Sequence, residues 1–279
     1  MQILKLIVAL VFFVSPAFAK KESKSETYKD IIEKAQNLSL QKDRQQAVNI
    51  LLAALKKETK PSAVLDIKRS ILDMSHMFLS DKAQQLYESA ISLKKNDLNQ
   101  GLDKIGEAHK LEPDNLKIVL EQSRMLMRKD DCRSGVENLY KFLRLEEIDE
   151  DLALAHAQGL ACLSKWTEVV RLSELHKKKH LEVYWGVLDV ERLIFEKSFI
   201  RAQELLTHVG RLDPGYPELS YWEFRLRQLQ KLNVLDPGVK YLANCKNISA
   251  VQYRKYMIDP MLCSRMQFVE SEMKNANGI

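Results

Sequence analysis

Two phrases in the chain nearly repeat each other, KLEPDN at 110–115 and RLDPG at 211–215. Each closes an apolar segment with helical spacing. Their prolines, Pro113 and Pro214, stand 101 residues apart, one short of three times 34. Other positions keep the same count. Asp97 and Asp131, Gly101 and Gly135, and Leu111 and Leu145 are each 34 apart. Val169 follows Gly135 by 34, and Ala202 follows Val169 by 33. A period of this length fits one pair of helices. Such a pair cannot bury its apolar face alone and must stack on its neighbours.

The local pattern agrees. Ile31, Ile32, Ala35 and Leu38 make one apolar face, and Ala47, Ile50, Leu51 and Ala54 make the next. The same spacing predicts helices from 27–41 and 44–57 through 132–145, 150–163 and 166–177 to 249–258 and 260–275. Links of two to five residues force consecutive helices to lie antiparallel. The chain has only 9 Gly and 7 Pro, fewer turn residues than a β-rich chain needs. One stretch breaks the count. Ala47 to Ala83 and Ala54 to Ala90 are 36 apart, which makes 81–95 a second helix, whereas Ser89 to Ser123 is 34, which makes it a first. One helix around 62–95 is left unpaired. With no Pro or Gly between Ser62 and Gln100, a single long helix is one expectation there.

These spacings resemble the tetratricopeptide repeat. That family places small residues at repeat positions 8, 20 and 27, and Pro near 32. The first unit supplies Ala35, Ala47 and Ala54, and the unit ending at Pro113 supplies Ser89, Gly101 and Ala108. The next supplies Ser123 and Gly135. The resemblance spans 27–215 and implies an all-α, right-handed superhelical solenoid of antiparallel helix pairs, with helical hairpins over 216–279 continuing or capping it. It also implies that first helices line a groove for a peptide or partner protein. The residues it places there as candidate contacts are Arg124, Arg128, Gln158, Tyr184 and Glu191. Arg124 and Arg128, one turn apart, suit a carboxylate or a phosphate, or are simply solvated arginines. Leu86, Leu120, Leu154 and Val187 depart from the lysine with which some members clamp a chain terminus. Tyr184-Trp185 and the cluster Tyr216, Tyr221, Trp222 and Phe224 either fill the core or line the groove.

The opening MQILKLIVALVFFVSPAFA reads as a signal peptide, residues 1–19, followed by a polar stretch at 20–26. Lys5 precedes an apolar run too short to span a bilayer, and Ala17-Phe18-Ala19 suits cleavage before Lys20. The mature chain then carries no membrane span, and the expected location is the periplasm first and the extracellular space second. Four cysteines in an exported chain suggest two disulfides. A hairpin of 132–145 and 150–163 sets Cys132 opposite Cys162 and leaves Cys245 with Cys263, unless all four are buried thiols. A ten-residue helix at 249–258 would hold the second pair apart.

The formal charge is +5 and well mixed, without the concentrated basic face that nucleic acid requires. His176 and His180 in HKKKH share a helical face, as metal ligands or as a solvated basic helix end, and no further ligand is spaced beside them. HExxH, GxGxxG, GxxxxGK and GxSxG do not occur, so no catalytic, cofactor or metal residue is assigned and no cofactor is expected. The function expected from the resemblance is an exported, non-enzymatic interaction scaffold or adaptor, in envelope assembly or secretion. The alternatives are a cell-wall-acting enzyme or accessory domain, for which no separate catalytic domain has room, and a structural subunit of an envelope complex.

Overall fold

The computed structural model describes residues 27–176 and 180–276. The signal peptide and the polar stretch expected at 1–26 lie outside them. Fifteen α-helices follow one another, and no strand occurs among the described residues. They are α1 (Tyr28–Leu40), α2 (Arg44–Leu55), α3 (Pro61–His76), α4 (Asp81–Leu93), α5 (Leu98–Leu111), α6 (Leu116–Arg128), α7 (Cys132–Leu139) and α8 (Glu150–Cys162). Then come α9 (Trp166–Leu175), α10 (Glu182–Phe195), α11 (Phe199–Leu212), α12 (Glu218–Leu229), α13 (Leu235–Lys246), α14 (Ala250–Tyr256) and α15 (Met266–Ala276).

One link recurs. Lys42, Asp130, Ser164, Lys197 and Lys231 take φ values of 67°, 65°, 59°, 59° and 58°. The last four keep the count of 34, 33 and 34. After each, the next backbone N–H reaches back to a carbonyl in the helix just ended: Asp131 to Leu126, Lys165 to Leu160, Ser198 to Leu193 and Leu232 to Arg227. That is the Schellman closure of a helix end. At the first three of these the same next residue is the N-cap of the following helix, and Asp43, Asp97 and Asp131 cap theirs by accepting from the third residue on. A helix thus stops, reverses and restarts within a few residues.

The result is a TPR-like stack of helix pairs. α4 packs on α5, α6 on α7, α8 on α9, α10 on α11 and α12 on α13, while α6, α8, α10 and α12 stack in a row. The small residues of the repeat lie at these crossings, where Gly101, Ala108, Ser123, Gly135, Ala157 and Ala202 are all buried. A Cβ on Gly135 would lie 3.0 Å from the Ser123 carbonyl oxygen, so a side chain there would require α6 and α7 to move apart by a few tenths of an ångström.

The uncertain stretch resolves into two helices, not one long one. α3 ends at His76, and Ser80 caps α4. α3 packs on α1, α2 and α6, so it is the odd helix, and α4 is the first helix of a pair. α1, α2 and α3 share a core cluster with α6, α7 and the start of α8. The acidic residue before the proline of KLEPDN fastens them. The Glu112 carboxylate accepts from Arg44 at 2.7 Å, from the Leu79 N–H at 2.8 Å and from Asn115 at 3.0 Å. Two other expected helices are shortened. The one at 132–145 is α-helical only to Leu139 and tightens to a 3₁₀ helix over Tyr140–Leu145, where Phe142 and Leu145 enter the N-terminal cluster. The one at 260–275 begins at Met266, after a run of turns.

Candidate binding site on the inner face

The first helices of the pairs, α4, α6, α8, α10 and α12, share one face. The chain's own segment 250–265, a strap, lies across it. Met257 packs with the cluster of α4–α6, Ile258 with that of α8–α10, and Leu262 is part of that of α10–α13. Three of the strap's backbone carbonyls are held from the stack. Lys94 donates to the Met257 carbonyl at 3.0 Å, Tyr184 to Lys255 at 3.0 Å, and Arg128 to Leu262 at 2.9 Å.

Side chains add anchors. The acidic residue of RLDPG, Asp213, accepts from Tyr256 at 3.0 Å and pairs with Lys255 at 2.6 Å. Tyr216 donates to Asp259, and Glu218 accepts from the Cys263 N–H at 2.7 Å and from Arg265 at 2.7 Å. Arg265 also lies over Tyr221, at 4.4 Å from the ring centre. Burial, with the carboxylate of Asp259 nearby, pushes the phenols of Tyr184 and Tyr216 up. Cys245 and Cys263 close the base of the strap, their Cα atoms 5.5 Å apart. α14 spans only seven residues, and the turns after it, with Cys263 at φ 55°, bring the two cysteines together. Cys132 and Cys162 are also bonded, with a Cα separation of 6.1 Å.

The five candidate contacts therefore divide. Arg124 is buried and paired with Asp151, and it is not a solvated arginine. Arg128 and Tyr184 hold the strap. Gln158 and Glu191 face a cavity of about 480 Å³ between α8, α10, α12 and the turn at 259–265, which Tyr184 also lines. Burial pushes the Glu191 carboxyl up to about 7, against the opposing pull of Arg265. Trp166 and Phe195, ring centres 5.6 Å apart, form part of the wall. Three residues of this face were missed in the sequence. Lys94 ends α4, the ambiguous helix, and Arg265 lies beyond the repeats. Arg225 follows Glu191 by 34, so extending the count into α12 would have found it.

Glu218, Cys245 and Cys263 cluster closely enough to be considered as metal ligands. Their atoms are committed elsewhere, the sulfurs to each other and the carboxylate to Arg265 and the Cys263 N–H. His176 and His180 do not share a helix, because α9 ends at Leu175. His176 instead bonds the Glu146 carbonyl at 2.8 Å and stacks on Trp185.

No protein-family model matches the chain, and no curated protein matches it. Among solved structures, a tetratricopeptide repeat protein from Parabacteroides merdae is similar, at 14% identity and a TM-score of 0.45. The match covers 86% of this chain and 98% of that one. Among the described residues, no helix is long and apolar enough to cross a membrane.

Proposed function

We propose that this protein is an exported interaction scaffold that binds a partner protein or peptide on the face of its first helices. The observation that carries this reading is the strap. Three side chains from three helices hold it by main-chain carbonyls, which every peptide offers. A face that grips the main chain suits an extended segment. The strap covers only part of the stack. Beyond it, Phe195 and Leu229, 34 apart, are 60% and 42% exposed and offer apolar anchors at the edge. Two disulfides agree with export, and the periplasm is the proposed compartment. Envelope assembly or secretion is the proposed setting.

The test is a pull-down from envelope extract of the source organism. Residues 20–279 would be compared with a Phe195→Glu/Leu229→Glu version whose melting curve is unchanged. A partner recovered by the first and lost by the second is the expected result. Equal recovery by both, or no partner with either, contradicts the reading.

A further inference from the structure

Among the described residues, three charged side chains that line the cavity beside the strap have no ion pair, Glu191, Arg225 and Asp259, and of these Asp259 already accepts from the Tyr216 hydroxyl and the Met261 N–H. Among the described residues, nothing forms a hydrogen bond or an ion pair with Glu191. Arg225, the equivalent residue on the next first helix, donates to the neutral amide of Gln228 and lies 5.3 Å from the Phe268 ring centre. It too has no carboxylate partner among the described residues. Both line the same cavity.

Two neutral groups repeat the pattern. Gln158 stands 33 residues before Glu191 in the same row, and its Oε1 is buried with no hydrogen-bond partner. The Trp166 indole N–H is likewise buried and unpartnered. A buried polar atom left without a partner destabilises the fold. Two unpartnered atoms and two side chains without an ion pair around one space call for a common explanation.

The sign of each group restricts the ligand. Glu191 and Gln158 Oε1 accept, while Arg225 and the Trp166 N–H donate. A cation alone would leave Arg225 unmatched, and an anion alone would leave Glu191 unmatched. Arg265 pulls on Glu191 through space, but its hydrogen bond and ion pair go to Glu218. The rest of the wall is largely apolar and aromatic, including Val187, Leu188, Ile194 and Phe195, beside the committed carboxylate of Asp259. A volume of about 480 Å³ lies within the range of small-molecule sites.

We propose that this cavity binds a small zwitterion with an apolar side chain, a free amino acid or a dipeptide. Its ammonium group meets Glu191 and Gln158, its carboxylate meets Arg225, and its side chain lies against the aromatic wall. This goes beyond partner recruitment, because it requires no second protein and uses none of the groups that hold the strap carbonyls.

The experiment titrates residues 20–279 with L-leucine and with leucyl-leucine, followed by calorimetry and by tryptophan fluorescence, since Trp166 and Trp222 line the cavity. Two analogues accompany them, 3-methylbutylamine without the carboxylate and 4-methylpentanoate without the ammonium. At least one zwitterion is expected to saturate, and both analogues to bind at least tenfold more weakly. Saturation by leucine or only by leucyl-leucine identifies the free amino acid or the dipeptide as the ligand size. Glu191→Gln and Arg225→Gln should each weaken the zwitterion at least tenfold. Glu191→Gln should leave 4-methylpentanoate binding as strong as before or stronger, which a misfolded variant could not do. No saturation by either zwitterion, equal binding of the analogues, or unchanged binding by both variants overturns the proposal.

Discussion

Lys94 shows what one buried charge does in this molecule. Its side chain is fully buried, paired with Glu121 at 2.7 Å, and it donates to the Met257 carbonyl of the strap. Burial pulls its ammonium pKa down, and Glu121 opposes that pull. Removing one member of a buried pair strands the other. Lys94→Met should therefore cost about 3–5 kcal/mol in urea unfolding, and Lys94→Met/Glu121→Leu should regain most of it. An equal loss in the double variant would show that the pair is not the cause. Glu191 makes the opposite case, a carboxylate with no hydrogen bond or ion pair among the described residues. Its folded pKa of about 7 lies above the ordinary 4.5. Its protonated form therefore favours the fold at low pH, and that contribution is lost as pH rises through 7. Glu191→Gln should be roughly 1–2 kcal/mol more stable than the native chain at pH 8, with the gap closing toward pH 4.5. A gap independent of pH would contradict this. The cost fits a residue kept for binding.

At the scale of elements, the repeated link sets the architecture. Lys231 ends α12 in the left-handed region, where a β-branched residue is strained and glycine is not. Lys231→Val should lower stability by about 1–2 kcal/mol, while Lys231→Gly should change it little. Equal effects on the melting curve would mean that the turn tolerates any residue. The restarts of α5 and α7 were legible in the sequence, since Asp97 and Asp131 are N-caps one period apart. The stop was not, because the residue with positive φ is Lys, Asp or Ser and not the glycine that would reveal it. The break at 77–80 was hidden for another reason. No Pro or Gly marks it, and the Leu79 N–H goes to Glu112, far away in sequence. The 3₁₀ helix at Tyr140–Leu145 and the turns at 257–265 are likewise set by distant partners. Helical periodicity predicts a helix through 140–145, and through 257–265 except for the break between 258 and 260. The row of Arg124, Gln158 and Glu191 was readable from the count, but its chemistry was not. Nothing local shows that Arg124 is spent on Asp151 while Glu191 is left open.

At the scale of the whole molecule, the two phrases that keep the count also fasten the parts that leave it. Glu112 of KLEPDN ties α1–α3 to the stack, and Asp213 of RLDPG ties the strap to it. Equivalent positions of the repeat thus serve opposite ends of the chain. The strap joins three core clusters that would otherwise meet only through neighbouring pairs, and the Cys245–Cys263 bond closes its base. The open part of the inner face is then the cavity and its exposed edge. The central claim is that residues 250–265 lie folded back across the first helices. Zero-length carbodiimide coupling followed by mass spectrometry of the digested chain tests it most directly. Lys255 and Asp213 lie 2.6 Å apart and should be joined, beside the control pair Lys246 and Glu270 at 3.0 Å. Formation of the control link without any between Lys255 and Asp213 would show that the strap does not lie there and would contradict the account.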